Sequence, residues 1–287
     1  MRIDEILAAR RPVFSFEFFP PKTPAATEQL LRALDDLKKL SPDFVSVTYG
    51  AMGSNRGQVL ELVSQIKNDV GLNPMAHLSC TGHTGDEIAA ILDQLVAARI
   101  DNVLPLRGDP PRGEVFRPVA GGFAHASDLV AFIRSRWAGF CLAGACYPEV
   151  HPDAPDAATD LQHLVTKVRA GVNFLITQLF FDNRDYFAFV ERARAAGITV
   201  PILPGIMPVV DVGGAKRMSA MCGARIPDSL MADLDAADGD PSRVLAAGVE
   251  HAMAQCRDLL ARGAPGIHFY TLNKSPATRL ILATLRG

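Results

Sequence analysis

Residues 14–23, FSFEFFPPKT, determine how the rest of the chain is interpreted. An alternation with a period of two places the phenylalanines at the even positions on one face of a strand and Glu17 on the other. The proline pair at 20–21 cannot donate to a strand ladder, so the strand must end there. We therefore expect a first β-strand that carries one carboxylate near its C-terminal end.

The carboxylate of Glu17 has two interpretations on sequence alone. A half-exposed edge strand tolerates a glutamate for solubility. At the mouth of a closed sheet, partial desolvation instead raises the pKa of the carboxyl group and makes it a proton donor near neutral pH.

Composition restricts the class of protein. The chain has 287 residues, of which 48% are hydrophobic, so it can bury a large core. The net charge of −2 and the pI of about 6.4 argue against nucleic-acid binding and against adhesion to an anionic membrane. No run reaches the roughly 20 apolar residues of a membrane span. The five scattered cysteines have no C-x-x-C spacing, which indicates a reducing, cytoplasmic location.

Strand-like apolar runs alternate with helical patterns along the whole chain. Alternating βα units imply a parallel sheet, and eight units in this length favour a closed (β/α)8 TIM barrel over an open sheet. We therefore expect a single domain over 1–287, with an extra helix or helices between about 212 and 262, before strand eight. The predicted strands lie in 13–19, 43–50, 74–80, 102–111, 140–149, 173–182, 200–209 and 266–273.

The barrel prediction also places the chemistry, because active sites of this fold lie at the C-terminal ends of the strands. Side chains from distant parts of the chain would meet there around one mouth. The polar residues at the predicted strand ends are Glu17, Thr48, Tyr49, His77, Arg107, Asp109, Tyr147, Glu149, His151, Gln178 and Asn273.

Three motifs leave alternatives open. LRGDPP at 106–111 contains either a ligand site, in which the glycine lets a flat ligand approach, or a structural pair of Arg107 and Asp109 in a tight turn. Gln178, in an apolar strand, needs a partner that is either a ligand or a backbone group. Lys167 in a helical segment is more typical of a solvated side chain than of a phosphate contact.

Metal and nucleotide motifs are weak or missing. Glu149 and His151 in YPEVHP are only two candidate ligands with no third, so we expect no metal site. Neither G-x-G-x-x-G after a strand nor a P-loop occurs. The inventory of carboxylates, an amide, aromatic rings and a few cations suits a reaction in which a cofactor supplies the hard chemistry.

Eight motifs in this order resemble those of methylenetetrahydrofolate reductases, over about residues 14–285. They are FEFFPPKT, VTYG, HLSC, LRGDPP, YPEVHP, ITQLFFD, PGIMPV and HFYTLN. The resemblance implies a (β/α)8 barrel of the short bacterial type that binds FAD. It implies reduction of 5,10-methylenetetrahydrofolate to 5-methyltetrahydrofolate by NADH or NADPH, in a ping-pong reaction that passes a hydride through the flavin. Similar bacterial enzymes also self-associate, so a homo-oligomer is expected.

The resemblance further implies roles for single residues. Glu17 matches the general acid that helps to protonate N10 of the folate. Asp109 matches a catalytic carboxylate near the flavin and the pterin, and Gln178 matches a glutamine shared by folate and nicotinamide. The positions that match the FAD lining are Thr48, Tyr49, Ala51, His77, Arg107, Gly108, Asp109, Ala126, Tyr147, His151, Ala154, Asp160 and Lys167.

Four positions depart from the bacterial pattern. Met218 replaces a phenylalanine that packs on the substrates, and Gly214 replaces a glutamine that touches substrate. Thr166 replaces an arginine near the FAD. Lys274 replaces an arginine associated with the folate tail, which keeps the charge but loses the bidentate fork. These changes concern affinity and nucleotide preference more than the reaction.

Two other functions remain possible at this stage. The first is reduction of the same folate without flavin, by direct hydride transfer, which Thr166 and the altered loop at 110–124 keep open. The second is a folate-binding barrel without redox activity that serves as a carrier or a methyl-transfer module.

Overall fold

The chain folds as an α/β barrel of nine parallel strands and eleven α-helices in the residues that the structure describes. The structure is a computed structural model that describes residues 1–21, 23–49, 56–109, 116–237, 239–273 and 276–286. The strands are β1 Val13–Phe18, β2 Phe44–Val47, β3 Pro74–Ser79, β4 Asn102–Leu106, β5 Cys141–Cys146, β6 Phe174–Thr177, β7 Ile202–Leu203, β8 Gly205–Ile206 and β9 Gly266–Tyr270.

The helices follow the strands as expected for βα units. They are α1 Ile3–Ala9, α2 Pro24–Lys38, α3 Arg56–Gln65, α4 Gly85–Ala97, α5 Ala126–Arg136, α6 Ala157–Arg169, α7 Asn183–Ala195, α8 Val212–Cys222, α9 Asp228–Ala237, α10 Pro241–Ala261 and α11 Pro276–Arg286. A π-helical turn, Ile66–Val70, continues α3. The three helices α8 to α10 are the insertion predicted before the last strand. None of the helices in these ranges is long and apolar enough to cross a membrane.

The sheet closes almost completely into a barrel. Strand order is β7-β6-β5-β4-β3-β2-β1-β9-β8, and only Pro204 separates β7 from β8. The sequence predicted one strand over this segment, but a proline has no N–H to donate to a ladder. The two short pieces therefore occupy one position of an eightfold barrel. By contrast, Pro105 stays within β4, where it pairs with Leu78 of β3.

The alternation predicted for the first strand is confirmed. Phe14, Phe16 and Phe18 are buried in the outer core, between the sheet and the helices. Val13 points into the barrel, where it belongs to an inner core that α1 closes from below with Ile3, Ile6 and Leu7. Glu17 has the same parity as Val13 and therefore points inward, toward the upper end of the barrel.

Candidate active site

The carboxyl ends of the strands surround a cavity of about 350 Å³, which we call the central cavity. Glu17 of β1 and His77 of β3 line its walls, together with Thr48 after β2, Asp109 after β4 and Gln178 after β6. The barrel thus brings side chains from five separate βα units to one place, as parallel strands with a common mouth require.

Glu17 is 8% exposed, and its carboxylate has three polar neighbours from other strands. Its Oε2 atom lies 3.5 Å from Ser46 Oγ, which donates to it, and 3.5 Å from His77 Nε2. His268 Nε2 lies 3.6 Å from the same oxygen. Ser15 Oγ lies 2.8 Å from Nδ1 of His268, so the imidazole is oriented from its far side. Three inward-facing side chains, Ser46, His77 and His268, therefore meet at one oxygen of the Glu17 carboxylate.

The solubility interpretation of Glu17 is wrong. β1 pairs with β2 on one side and with β9 on the other, so it is not an edge strand. A buried carboxylate in the interior of a sheet is retained only with partners or for a function.

The expected rise in the pKa of Glu17 is also wrong. Burial is the largest influence and does raise the pKa. The close contact with His268, the charges of His77 and His268, and the Ser46 hydroxyl together outweigh it. The pKa of Glu17 is therefore held below its ordinary value in this structure.

The neighbouring His77 makes the barrel sensitive to acid. Burial lowers the pKa of His77 to about 4, against an opposing effect of Glu17 and with a further decrease from His268. Between about pH 6.5 and about pH 4 the unfolded chain binds a proton here that the folded chain does not. The free energy of unfolding should therefore fall as the pH is lowered through that window, by ~1.4 kcal/mol per pH unit from this residue alone. Urea unfolding at several pH values measures the slope.

A variant without the imidazole tests this assignment. His77→Asn should flatten the slope between about pH 6.5 and about pH 4. Equal slopes in wild type and His77→Asn would show that this imidazole is not held neutral by the fold.

A second cavity of about 440 Å³ adjoins the central cavity and lies against α5 and α6; we call it the side cavity. Arg107, Tyr147, His151 and Lys167 line both cavities. The Nζ atom of Lys167 donates to the carbonyl oxygen of Ala145 at 2.7 Å, and burial lowers its pKa. Lys167 is therefore not the solvated helix residue that the sequence favoured.

Arg107 is fixed by a residue that the sequence did not single out. Its Nη2 atom lies 2.7 Å from Asp153 Oδ2 but 4.0 Å from Asp109 Oδ1, and the Asp109 side chain is 92% exposed. The guanidinium also lies over the ring of Phe116, 5.2 Å from its centroid. Arg107 and Asp109 therefore do not form a tight structural pair. Asp109 faces the central cavity without a close partner in the described residues.

Gly108 is required by the turn at the end of β4, and it also lines the central cavity. Its φ is +83°, and a Cβ there would lie 2.0 Å from Ser79 Oγ and 2.3 Å from Thr81 Oγ1. Both hydroxyls donate to the carbonyl oxygen of Arg107. The missing side chain thus makes room for the hydroxyl pair that holds the end of β4.

The loop after β5 is an aromatic wall. The rings of Tyr147 and His151 lie 4.6 Å apart, and the backbone N–H of His151 donates to Asp160 Oδ2 at 3.1 Å. Glu149 turns away and accepts from the backbone N–H of Arg225 at 2.8 Å. Within the described ranges no group of three or more His, Cys, Asp or Glu residues could hold a metal ion.

Gln178 has a backbone partner and still faces the cavity. Its Oε1 accepts from the N–H of Leu179 at 2.9 Å. Burial raises the pKa of Tyr147 to about 12, and a hydrogen bond between Gln178 and Tyr147 opposes this rise. Both alternatives weighed for Gln178 are therefore compatible with its position.

The remaining candidate residues line one cavity, line both, line neither, or lie outside the described residues. Gly214 donates its N–H to Asp211 at the start of α8 and lines neither cavity. Ala51 and Lys274 lie outside the described residues. The candidates that line the central cavity alone are Glu17, Thr48, Tyr49, His77, Gly108, Asp109, Gln178 and Met218. Those that line the side cavity alone are Ala154, Asp160 and Thr166. Those that line both cavities are Arg107, Ala126, Tyr147, His151 and Lys167.

Sequence reasoning missed two residues that line the central cavity and one that contacts Glu17 without lining it. His268 contacts Glu17, while Tyr270 and Leu272 complete the wall on the β9 side. Period-two alternation in GIHFYTLN could have identified His268 and Tyr270, because it places both on the same inward face of the strand. The Tyr270 hydroxyl donates to the carbonyl oxygen of Thr177 at 2.7 Å, which joins the ends of β9 and β6.

Comparisons with known proteins agree on one family. The family model described as Methylenetetrahydrofolate reductase matches residues 2–286. The chain is 40% identical over 271 residues to 5,10-methylenetetrahydrofolate reductase of Escherichia coli, covering 94% of this chain and 90% of that protein. It is 40% identical over 295 residues to the probable methylenetetrahydrofolate reductase (NADH) of Oryza sativa, covering 99% of this chain and 50% of the relative. The chain therefore spans about half the length of the plant relatives.

A solved structure gives independent support for the fold. An uncharacterized protein from Clostridium thermocellum, described as binding two copies of 5-methyl-5,6,7,8-tetrahydrofolic acid, superposes with a TM-score of 0.72. The alignment covers 100% of this chain and 99% of that chain at 14% identity, which supports the common architecture alone.

Proposed function

The chain belongs to the methylenetetrahydrofolate reductase family, and from this premise we propose that it reduces 5,10-methylenetetrahydrofolate to 5-methyltetrahydrofolate with NADH or NADPH and bound FAD. The observation that carries the proposal is the position of Glu17, Asp109 and Gln178 around one cavity at the barrel mouth. In this proposal the buried acid supplies a proton, the exposed carboxylate a negative charge and the amide hydrogen bonds.

The residues of the two cavities fit FAD. The cations Arg107 and Lys167 suit a pyrophosphate, and Lys167 makes no ion pair with the described residues. The Nε2 atom of His77 is buried without a hydrogen-bond partner, although Glu17 lies close to it. Such an atom supports a polar ligand at the floor of the cavity. FAD would supply the hydride relay between nicotinamide and folate. The residues that would hold it are Thr48, Tyr49, His77, Arg107, Gly108, Asp109, Ala126, Tyr147, His151, Ala154, Asp160 and Lys167.

Glu17 provides the proton in this proposal. Protonation of N10 breaks the bond between N10 and the methylene carbon, and the carbon remains on N5 as an electrophilic iminium that a hydride converts to a methyl group. In the unliganded site the polar neighbours of Glu17 hold the pKa of this carboxyl below its ordinary value. The proposal therefore requires that folate binding raise that pKa, so that Glu17 is protonated when the reaction consumes the proton.

Asp109 and Gln178 orient and stabilise the same substrate. Asp109 places a negative charge at the mouth, where it stabilises the cationic iminium through space. Gln178 offers both donors and an acceptor, so it can serve the folate and the nicotinamide in turn.

Several further properties belong to the same proposal. The names of the plant relatives specify NADH, which favours NADH as the reductant here. Free thiols at all five cysteines fit the cytoplasm. We expect residues 1–287 to act as a single catalytic domain, in a homo-oligomer.

The visible spectrum of the purified protein tests the proposal. We expect a yellow protein whose flavin absorbance bleaches when NADH is added without oxygen and returns when 5,10-methylenetetrahydrofolate follows. A colourless protein that reduces the folate would instead establish direct hydride transfer. Folate binding without oxidation of NADH would establish a carrier or methyl-transfer function.

A further inference from the structure

The turn that follows β9 is joined to the end of β1 by side chains. The backbone pairing of the two strands ends at Glu17 and Tyr270. Beyond it, Thr271 Oγ1 donates to the carbonyl oxygen of Glu17 at 2.6 Å. The side chain of Asn273 then binds both backbone groups of Phe19, accepting from its N–H at 2.8 Å and donating to its carbonyl oxygen at 2.9 Å.

This turn is held in an unfavourable backbone conformation. Leu272 and Asn273 have φ values of 49° and 58°, in the left-handed region. Leucine in particular rarely adopts that region. The N–H of Asn273 donates to Thr271 Oγ1 at 3.1 Å, so the strained turn is closed by its own hydrogen bond. We call residues 271–273 the β9 clamp.

The clamp fixes the segment that carries the acid and an exposed aromatic ring. Phe19 lines the central cavity beside Glu17 and is 40% exposed, which is unusual for a phenylalanine at the end of a buried strand. The opposite side of this segment is also fixed, because Thr48 donates its N–H to the carbonyl oxygen of Phe18 at 2.9 Å. The backbone from Glu17 to Phe19 therefore has little freedom, although the Phe19 ring faces the cavity.

We propose that Asn273 is a positioning residue that holds the Phe19 ring as a contact surface for the flat ring system of the folate, with the carboxyl group of Glu17 next to it. The inference rests on the proposed function for the identity of the ligand. Phe19 contacts the substrate directly, whereas Asn273 acts on the reaction through Phe19 and the end of β1.

Hydrogen exchange tests the clamp without any assay of activity. Phe19 directly follows β1, and because Pro20 and Pro21 have no amide hydrogens, its amide is the last exchangeable one of this segment. In Asn273→Ala this amide should exchange roughly ten-fold faster, as the loss of a hydrogen bond of typical net strength predicts. Asn183→Ala is the matched control, because Asn183 also donates to a backbone carbonyl, that of Gln255, but far from the mouth. Unchanged exchange at Phe19 would overturn the clamp.

Half-reaction kinetics test the positioning role. Asn273→Ala should slow reoxidation of the reduced protein by the folate about ten-fold, with a smaller effect on its reduction by NADH. Asn273→Asp keeps the acceptor for the Phe19 N–H and should recover part of the rate. In a double-mutant cycle, Phe19→Ala and Asn273→Ala should be clearly non-additive. Additive losses, or a loss equal to that of Asn183→Ala, would refute an action through Phe19.

The two proposals can fail separately. If the wild-type protein does not reduce the folate, the proposed function fails, while the hydrogen-exchange result still decides whether the clamp exists. If the wild type is active and Asn273→Ala matches it in both half-reactions, the positioning role fails and the proposed function stands.

Discussion

Glu17→Gln should lower the rate at which folate reoxidises the reduced protein by about 10²–10⁴-fold, the usual contribution of a general acid. Its effect on reduction by NADH should be small, because that step takes no proton from this carboxyl. Glutamine preserves the volume and can still accept from Ser46, so the loss should reflect the missing proton rather than a collapsed site. Stopped-flow measurement of each half-reaction separates the two steps.

A second strand-end carboxylate provides the control. Glu149 is half-buried like an active-site acid, but it accepts from the backbone of Arg225 and lines neither cavity. Glu149→Gln should therefore leave both half-reactions within about two-fold of wild type, as expected for a group outside the site. Equal losses in the two half-reactions of Glu17→Gln would count against its assignment as the acid.

Asp109→Asn should weaken both folate binding and folate reduction, each by about ten-fold. The reason is the loss of a negative charge that faces a developing cation, an interaction that a solvent-exposed side chain supplies only partly. Because the charge is exposed, the difference from wild type should shrink as salt is added. A folate titration and the folate half-reaction, each at low and high ionic strength, measure the effect.

Asp153→Asn distinguishes a direct role of Asp109 from an action through Arg107. Both carboxylates lie near the Arg107 guanidinium, but Asp153 is the closer partner and belongs to the side cavity. If Asp109 acts on the folate, Asp153→Asn should disturb retention of the cofactor and leave the folate half-reaction of the loaded enzyme largely intact. Identical defects in the two variants would remove the direct role of Asp109.

Most of the fold follows from local patterns in the sequence. The FSFEFF alternation, the prolines after it and the repeated βα units are enough to predict a barrel with extra helices before the last strand. The division of the seventh strand at Pro204 was not predicted, although a proline without an N–H gives the reason. Pro105, by contrast, is accommodated in β4, which shows that one residue type does not decide strand continuity.

The environment of Glu17 could not be predicted in the same way. Its pKa depends on Ser46, His77 and His268, which lie on three other strands and converge on one oxygen only when the barrel closes. Burial alone predicts a raised pKa, whereas these contacts lower it. The turn at Gly108 is similar, since the hydroxyls that exclude a Cβ come from the end of β3 and the residues after it.

The central claim is that the barrel mouth transfers a hydride to folate while Glu17 supplies a proton. Its most direct test is a single turnover without oxygen, in which the NADH-reduced protein is mixed with 5,10-methylenetetrahydrofolate. We predict one 5-methyltetrahydrofolate per reoxidised flavin in wild type and almost none on the same timescale in Glu17→Gln. A reduced protein that stays reduced with the folate, or a Glu17→Gln variant that turns over at the wild-type rate, would contradict the claim.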